Sequence, residues 1–103
     1  MDLRAEVERA FARLIADDLV ELGEDGNELH IIGDEWTLVL DGATAMLAVD
    51  DDEGDPESAL EAIDDEELAA LRVLDASLEG ALDRALVASP DPLTKALARI
   101  LEG

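Results

Sequence analysis

The feature that most constrains the fold is the stretch of residues 28–49, where short alternating segments are separated by two-residue connectors. The connectors Gly33-Asp34 and Asp41-Gly42 have the chemistry of tight hairpin turns, because glycine adopts a positive φ at little cost and aspartate tolerates it. The alternating segments predict three β-strands, Glu28–Ile32, Glu35–Leu40 and Ala43–Val49. The stretch therefore predicts an antiparallel β-meander with the second strand in its centre.

The two turns also predict the register, which assigns each strand residue to a face of the sheet. Ile31 is expected opposite Trp36, Leu29 opposite Leu38, Leu38 opposite Ala45, and Trp36 opposite Leu47. One face is apolar throughout and is predicted to be the core face: Leu29, Ile31, Trp36, Leu38, Leu40, Ala43, Ala45, Leu47 and Val49. The other face is mixed in character: His30, Ile32, Glu35, Thr37, Val39, Asp41, Thr44, Met46 and Ala48.

Helices are predicted on both sides of this meander in the sequence. Apolar residues spaced three and four apart predict a first helix over Asp2–Leu22, with Gly23 as its stop and a turn over residues 24–27. After the meander, three more helices are predicted: a short one from Asp55-Pro56 through Ile63, a long one over Asp65–Val87 with a capping box of Asp64 and Glu67, and a last one beginning at Pro92.

These elements predict one small α+β domain over residues 1–103, in the order α-β-β-β-α-α-α. The apolar sheet face needs cover, so the helices are expected to pack on it. The mixed face would then be left open.

Charge is the leading chemical feature of the chain, with 28 acidic against 7 basic residues and a net charge of −21. Such a chain is repelled by DNA, RNA and anionic membranes, so direct binding to nucleic acid or membrane is not expected. The acidic, lysine-poor composition is typical of proteins from a salt-adapted cytosol, where salt screens self-repulsion. However, residues 50–67 hold 11 acids and no base. This clustering favours the alternative, an acidity directed at one basic partner.

Catalysis is not expected, and no cofactor is implied. The chain has no cysteine or tyrosine and one histidine (His30), and the serines Ser58 and Ser89 each have a local reason to be polar. An EF-hand reading of the acidic loop fails, because Val49 and Leu60 would occupy its first and last ligand positions. Weak binding of cations by Asp50, Asp51, Asp52 and Asp55 is a further hypothesis. Since the N-terminus has no continuous apolar run and no cysteine is present, a cytoplasmic location is expected.

Three functions remain open from the sequence, of which the least favoured is a small enzyme or ligand-binding domain. The first is a non-enzymatic protein-binding module, such as an adaptor, chaperone or regulatory subunit, that binds a partner or a second copy through the mixed face or the long helix. The second is a charge-based inhibitor, such as a DNA mimic or immunity-type protein, of a basic nuclease, toxin or defence complex. The residues predicted to contact a partner are His30, Ile32, Thr37, Val39 and Met46 of the mixed face, with Asp50, Asp51, Asp52, Glu53 and Asp55 of the acidic loop.

Overall fold

In the computed structural model, residues 3–41, 44–49, 60–61 and 63–102 are described. Within these ranges the helices are α1 (Leu3–Ala10), α2 (Ala12–Ala16), α3 (Asp65–Ser77), α4 (Ala81–Ala88) and α5 (Pro92–Glu102), and the strands are β1 (Glu21–Asp25), β2 (Glu28–Ile32), β3 (Trp36–Asp41) and β4 (Thr44–Val49). The strands form one antiparallel sheet in the order β1-β2-β3-β4. The α+β class predicted from the sequence is confirmed, with helices packed on the sheet.

The sheet has a fourth strand where the sequence predicted the end of the first helix. The helical segment ends at Ala16, the chain turns through Asp18 at a φ of 60°, and residues 21–25 pair with β2. The apolar residues there fit both periods, but buried Val20 and half-buried Leu22 alternate with exposed Leu19 and Glu21 as in a strand. Pairing with β2 across the tight turn at Gly26 (φ 62°) decides between the two. The prediction of a helix over Asp2–Leu22 is therefore wrong beyond Ala16.

The register of both predicted hairpins is shifted by two residues. Ile31 lies opposite Leu38, and Trp36 lies opposite Val49. In the first hairpin the turn is moved along by one residue, because the Gly33 N–H donates to the Trp36 carbonyl at 2.8 Å and leaves residues 34–35 as the connector. The second connector, residues 42–43, lies outside the described residues. A shift of two keeps the paired residues of β2, β3 and β4 on their predicted faces, so the assignment of faces is confirmed for these strands. Glu35, predicted on the mixed face, lies in the connector instead.

The core lies between the apolar sheet face and the helices. Helices α4 and α5 contact β4, and α1 contacts α3. From the sheet, the core takes the buried residues Leu29, Ile31, Trp36, Leu38, Leu40, Ala45 and Leu47. From the helices it takes, among others, Val7, Phe11, Leu14, Leu71, Leu74, Leu82, Leu86 and Leu97.

The long C-terminal helix predicted over Asp65–Val87 is interrupted and forms α3 and α4. Glu79 and Gly80 adopt positive φ angles of 58° and 84°, and the Gly80 N–H donates to the Asp75 carbonyl at 2.9 Å. This is the Schellman arrangement that ends a helix. The helix beginning at Pro92 is confirmed. Of the predicted short helix, residues 55–59 and 62 lie outside the described part of the chain; of the rest, Leu60 and Ile63 are buried and Glu61 is exposed.

One buried carboxylate joins the helical layer to the sheet. The predicted capping box forms at the start of α3, where the Asp64 N–H donates to Glu67 Oε1 at 3.0 Å. The second oxygen of Glu67 accepts a hydrogen bond from Trp36 Nε1 on β3, at 2.8 Å. Glu67 is only 5% exposed, yet both of its oxygens have a donor. The same side chain therefore caps a helix and anchors the indole of β3.

The indole of Trp36 lies over Gly33, the residue that follows β2. A Cβ built on Gly33 would lie 2.3 Å from the Trp36 ring, inside any allowed contact distance. A glycine beside an aromatic residue on a paired strand leaves its backbone to be covered by the ring. Gly33 is thus required by the position of Trp36 rather than by the turn, whose connector is residues 34–35.

We expect Gly33→Ala to lower the free energy of unfolding by about 1–3 kcal/mol, because the indole must move out of a packed core. The matched control is Gly23→Ala on β1, where a Cβ would meet ordinary contacts of 3.7 and 3.8 Å. It should change stability by less than about 0.5 kcal/mol. Urea unfolding followed by the fluorescence of Trp36 measures both, and equal effects would contradict the steric argument.

We expect Glu67→Ala to lower the free energy of unfolding by about 2 kcal/mol or more, because it leaves a buried indole N–H without an acceptor and removes half of a cap. Glu66→Ala removes an exposed acid from the same helical turn and is the matched control. Its effect should stay within about 0.5 kcal/mol. The measurement is urea unfolding followed by circular dichroism, and similar losses in both variants would show that the Trp36 contact contributes nothing.

Candidate interaction surface

The sheet face opposite the core is built from three cross-strand rows. Because consecutive strands are paired in register, the side chains of alternate residues meet their neighbours directly across the sheet. The rows are Glu21–Ile32–Thr37–Ala48, Gly23–His30–Val39–Met46 and Asp25–Glu28–Asp41–Thr44. The five mixed-face residues that the sequence predicted as contacts lie together in the first two rows.

The centre of this open face is apolar and accessible. Ile32 is 38% exposed and Met46 is 51% exposed, which is unusual for large apolar side chains. Val39 and Thr37 lie between them and are half-buried. The open face therefore offers a continuous apolar strip across β2, β3 and β4, which a partner could bury.

His30 lies in the middle row, and one of its ring nitrogens has no hydrogen-bond partner. Its Nε2 makes no hydrogen bond, and the nearest acid, Glu28 on the same strand, has Oε1 3.7 Å away. That separation is too long for a hydrogen bond. The His30 side chain is 28% exposed. The Nε2 atom itself is buried, so the exposed part of the ring is what a partner on the open face would contact.

Acids line the open face, whereas all the basic residues lie elsewhere. The chain has no lysine or arginine between Arg13 and Arg72, and each of its 7 basic residues belongs to a helix. The acids of the open face are Glu21, Asp25, Glu28 and Asp41. The charge that meets a partner at this sheet is therefore negative and uncompensated by any base on the strands.

Among the described residues, Arg4 of α1 is the only lysine or arginine that forms an ion pair with a strand of the sheet. Its guanidinium donates to Glu8 on the same helix, at 2.8 Å, and to Glu24 on β1. The hydrogen bond that Arg4 donates to Glu8, and then the one that it donates to Glu24, raise the pKa of Arg4, since both carboxylates favour its charged form. The pair lies on the helix side of β1, because Glu24 is opposite Leu29 of the core face.

The other half of the predicted contact set cannot be placed. Asp50, Asp51, Asp52, Glu53 and Asp55 lie outside the described residues, and so does the cation site proposed for that loop. Among the residues that are described, no three histidine or acidic side chains come together as a metal site requires.

Of the two serines that could have served as nucleophiles, only Ser89 lies in the described part of the chain. Ser58 lies outside the described ranges. Ser89 is buried, and its Oγ accepts the N–H of Asp91 at 3.2 Å in the turn that leads into α5. Its hydroxyl therefore has a local structural partner.

The sequence prediction missed the part of the open face that β1 contributes. Glu21, Gly23 and Asp25 extend all three rows by one strand. The signal was present in the alternation of Val20 and Leu22 with their neighbours and in the Gly26-Asn27 turn before β2. It was masked because the same apolar residues also fit helical spacing.

In comparisons with family models, curated proteins and solved structures, nothing matches the chain. No helix in the described part of the chain has both the length and the apolar character that crossing a membrane requires.

Proposed function

We propose that this chain is a non-enzymatic, cytoplasmic protein-binding module, an adaptor, chaperone or regulatory subunit, whose open sheet face binds a basic protein surface. The observation that carries the proposal is the accessible apolar strip of Ile32, Val39 and Met46, set among acids on a sheet without any lysine or arginine. A buried apolar centre with a polar rim is the usual anatomy of a protein–protein interface.

Charge complementarity identifies the kind of partner. A basic surface with an apolar centre would pair its cations with Glu21, Asp25, Glu28 and Asp41 while covering the strip. A second copy of this chain is disfavoured, because a two-fold interface through the open face would bring the same acids together from both copies. Homodimerisation is thus an outcome of the test rather than the proposal.

A charge-based inhibitor of a basic nuclease, toxin or defence complex is the second candidate. It is favoured by the absence of lysine and arginine between Arg13 and Arg72, which leaves one long stretch whose charged side chains are acidic. Such an inhibitor would bind mainly by electrostatic steering, and its affinity would fall steeply with salt. The apolar strip favours the binding module, because pure charge mimicry does not need exposed Ile32 and Met46.

We expect Met46→Glu to weaken partner capture by at least about tenfold, because it places a charge in the apolar strip that the interface buries. The matched control is Val73→Glu on α3, a site that is 54% exposed compared with 51% for Met46, so the added charge and exposure are the same. The experiment is a native pull-down from the source cell with the wild-type chain, followed by titration of the captured protein with each variant.

Three results of that experiment would count against the proposal. The first is equal loss of binding in both variants, which would indicate a general charge effect. The second is loss in neither, which would remove the open face from the interface. The third is a wild-type chain that sediments as a dimer and captures no other protein, which would replace the basic partner with a second copy.

We also expect the free energy of unfolding to rise as KCl is increased from low salt to ~3 M, because the screening length falls to a few Å or less and reduces self-repulsion. Circular dichroism during urea unfolding at each salt concentration measures this. Full stability at low salt would remove the support for a salt-adapted cytosol. Folding only at high salt would instead rule against the charge-based inhibitor, since its binding would be screened where it is folded.

A further inference from the structure

The two edges of the sheet differ in whether a helix covers them. On β4, the outward N–H of Leu47 donates to Thr94 Oγ1 of α5 at 2.9 Å, and this hydroxyl donates in turn to Asp91 Oδ2 at 2.8 Å. Thr94 is fully buried. Helix α5 therefore occupies the middle of the β4 edge and takes up a backbone donor that another strand could otherwise use.

The β1 edge has no such cover among the described residues. In a hairpin with a two-residue turn, the flanking residues form a hydrogen-bonded pair, and the pairs then alternate. Asp25 and Gly23 therefore bond to β2, and the backbone groups of Leu22 and Glu24 point away from the sheet. Within the described ranges, no strand and no hydrogen bond satisfies these outward groups.

A groove runs beside this free edge on the helix side. Its walls come from α1, α2 and β1, and they are mainly apolar, with one ion-paired end: Ala12, Ile15, Ala16 and Leu22, with Arg4 and Glu8. On the other side of the strand, Glu21, Gly23 and Asp25 belong to the open face. An edge strand flanked by a helix-lined groove is the arrangement that accepts an added peptide strand.

We propose that the β1 edge binds an extended basic segment of the partner by strand addition. This inference rests on the proposed function, because it names how the same basic partner would bind the same sheet. Backbone bonds to Leu22 and Glu24 would hold the segment in place. Side chains of a strand alternate, so apolar residues would face the groove beside Leu22, and lysine or arginine would face Glu21 and Asp25.

Charge also disfavours the pairing of the free β1 edge with β1 of a second copy. Edge-to-edge pairing of two copies would place Glu21, Glu24 and Asp25 of each beside those of the other. Like charges on an edge strand are a common protection against such pairing. The same acids that repel a copy attract a basic strand.

The probe is a synthetic peptide of about eight residues, a usual strand length, with alternating lysine and valine. Its control is the same peptide with N-methyl groups on alternate amides, which keeps the charge and the side chains but cannot pair with a strand. We expect the first peptide to protect the amides of Leu22 and Glu24 from hydrogen exchange and to bind at least about tenfold more tightly than the control. Equal affinities would overturn the proposal.

A backbone variant tests the same edge from the protein side. Glu24→Pro removes an outward N–H without removing a bond to β2, and Glu24→Ala removes the same carboxylate and ion pair but keeps the N–H. Glu24→Pro should weaken peptide binding at least about tenfold relative to Glu24→Ala. Circular dichroism of both variants checks that each still folds. If Glu24→Pro unfolds the chain, the N-methylated peptide alone decides.

The experiment separates this inference from the proposed function. Met46→Glu lies on β4, away from the β1 edge, and should leave peptide binding unchanged while weakening capture of the partner. If the peptide fails to protect Leu22 and Glu24 but Met46→Glu still loses the partner, strand addition is wrong and the proposed function stands. If the wild-type chain forms dimers that protect these amides without peptide, the edge binds a second copy and the proposal is overturned.

Discussion

The arrangement of the whole molecule depends on the carboxylate of Glu67. One of its oxygens accepts the N–H of Asp64 at the start of α3, and the other accepts the indole N–H of Trp36 on β3. A buried carboxylate is costly unless both oxygens are paired, so the helix start and the indole must be held in one geometry. That geometry places α3 on the core side of the sheet and sets the indole over Gly33. Because the helices pack on that side, the opposite face is left accessible.

Local chemistry made much of this fold predictable from the sequence, and non-local pairing accounts for what was missed. The capping box was predicted because Asp64 and Glu67 are three residues apart. The register was wrong because two adjacent turns were chemically acceptable, and contact between the Trp36 ring and Gly33 favours one of them. Strand β1 was missed because its residues also fit a helix until they pair with β2.

The candidate surface was more robust to these errors than the fold. A slip of two residues leaves the alternation of faces intact, so His30, Thr37, Val39 and Met46 lie where the pattern predicted them. The contribution of β1 and the free backbone of its edge could not be predicted, because both depend on which strands become neighbours. The cover on the opposite edge depends on one threonine of α5 reaching Leu47, a contact 47 residues apart in sequence.

The confinement of all 7 bases to the helices has a consequence for how the molecule approaches another charged body. Among the described residues the strands carry only acids and the helices carry both signs, so this part of the molecule has an electric dipole whose negative end is the sheet. A polycation at a distance exerts a torque on such a dipole and turns the sheet towards itself before the two surfaces touch. Orientation during diffusion would then be selected by the field, and the short-range apolar contacts would act on molecules that already face one another.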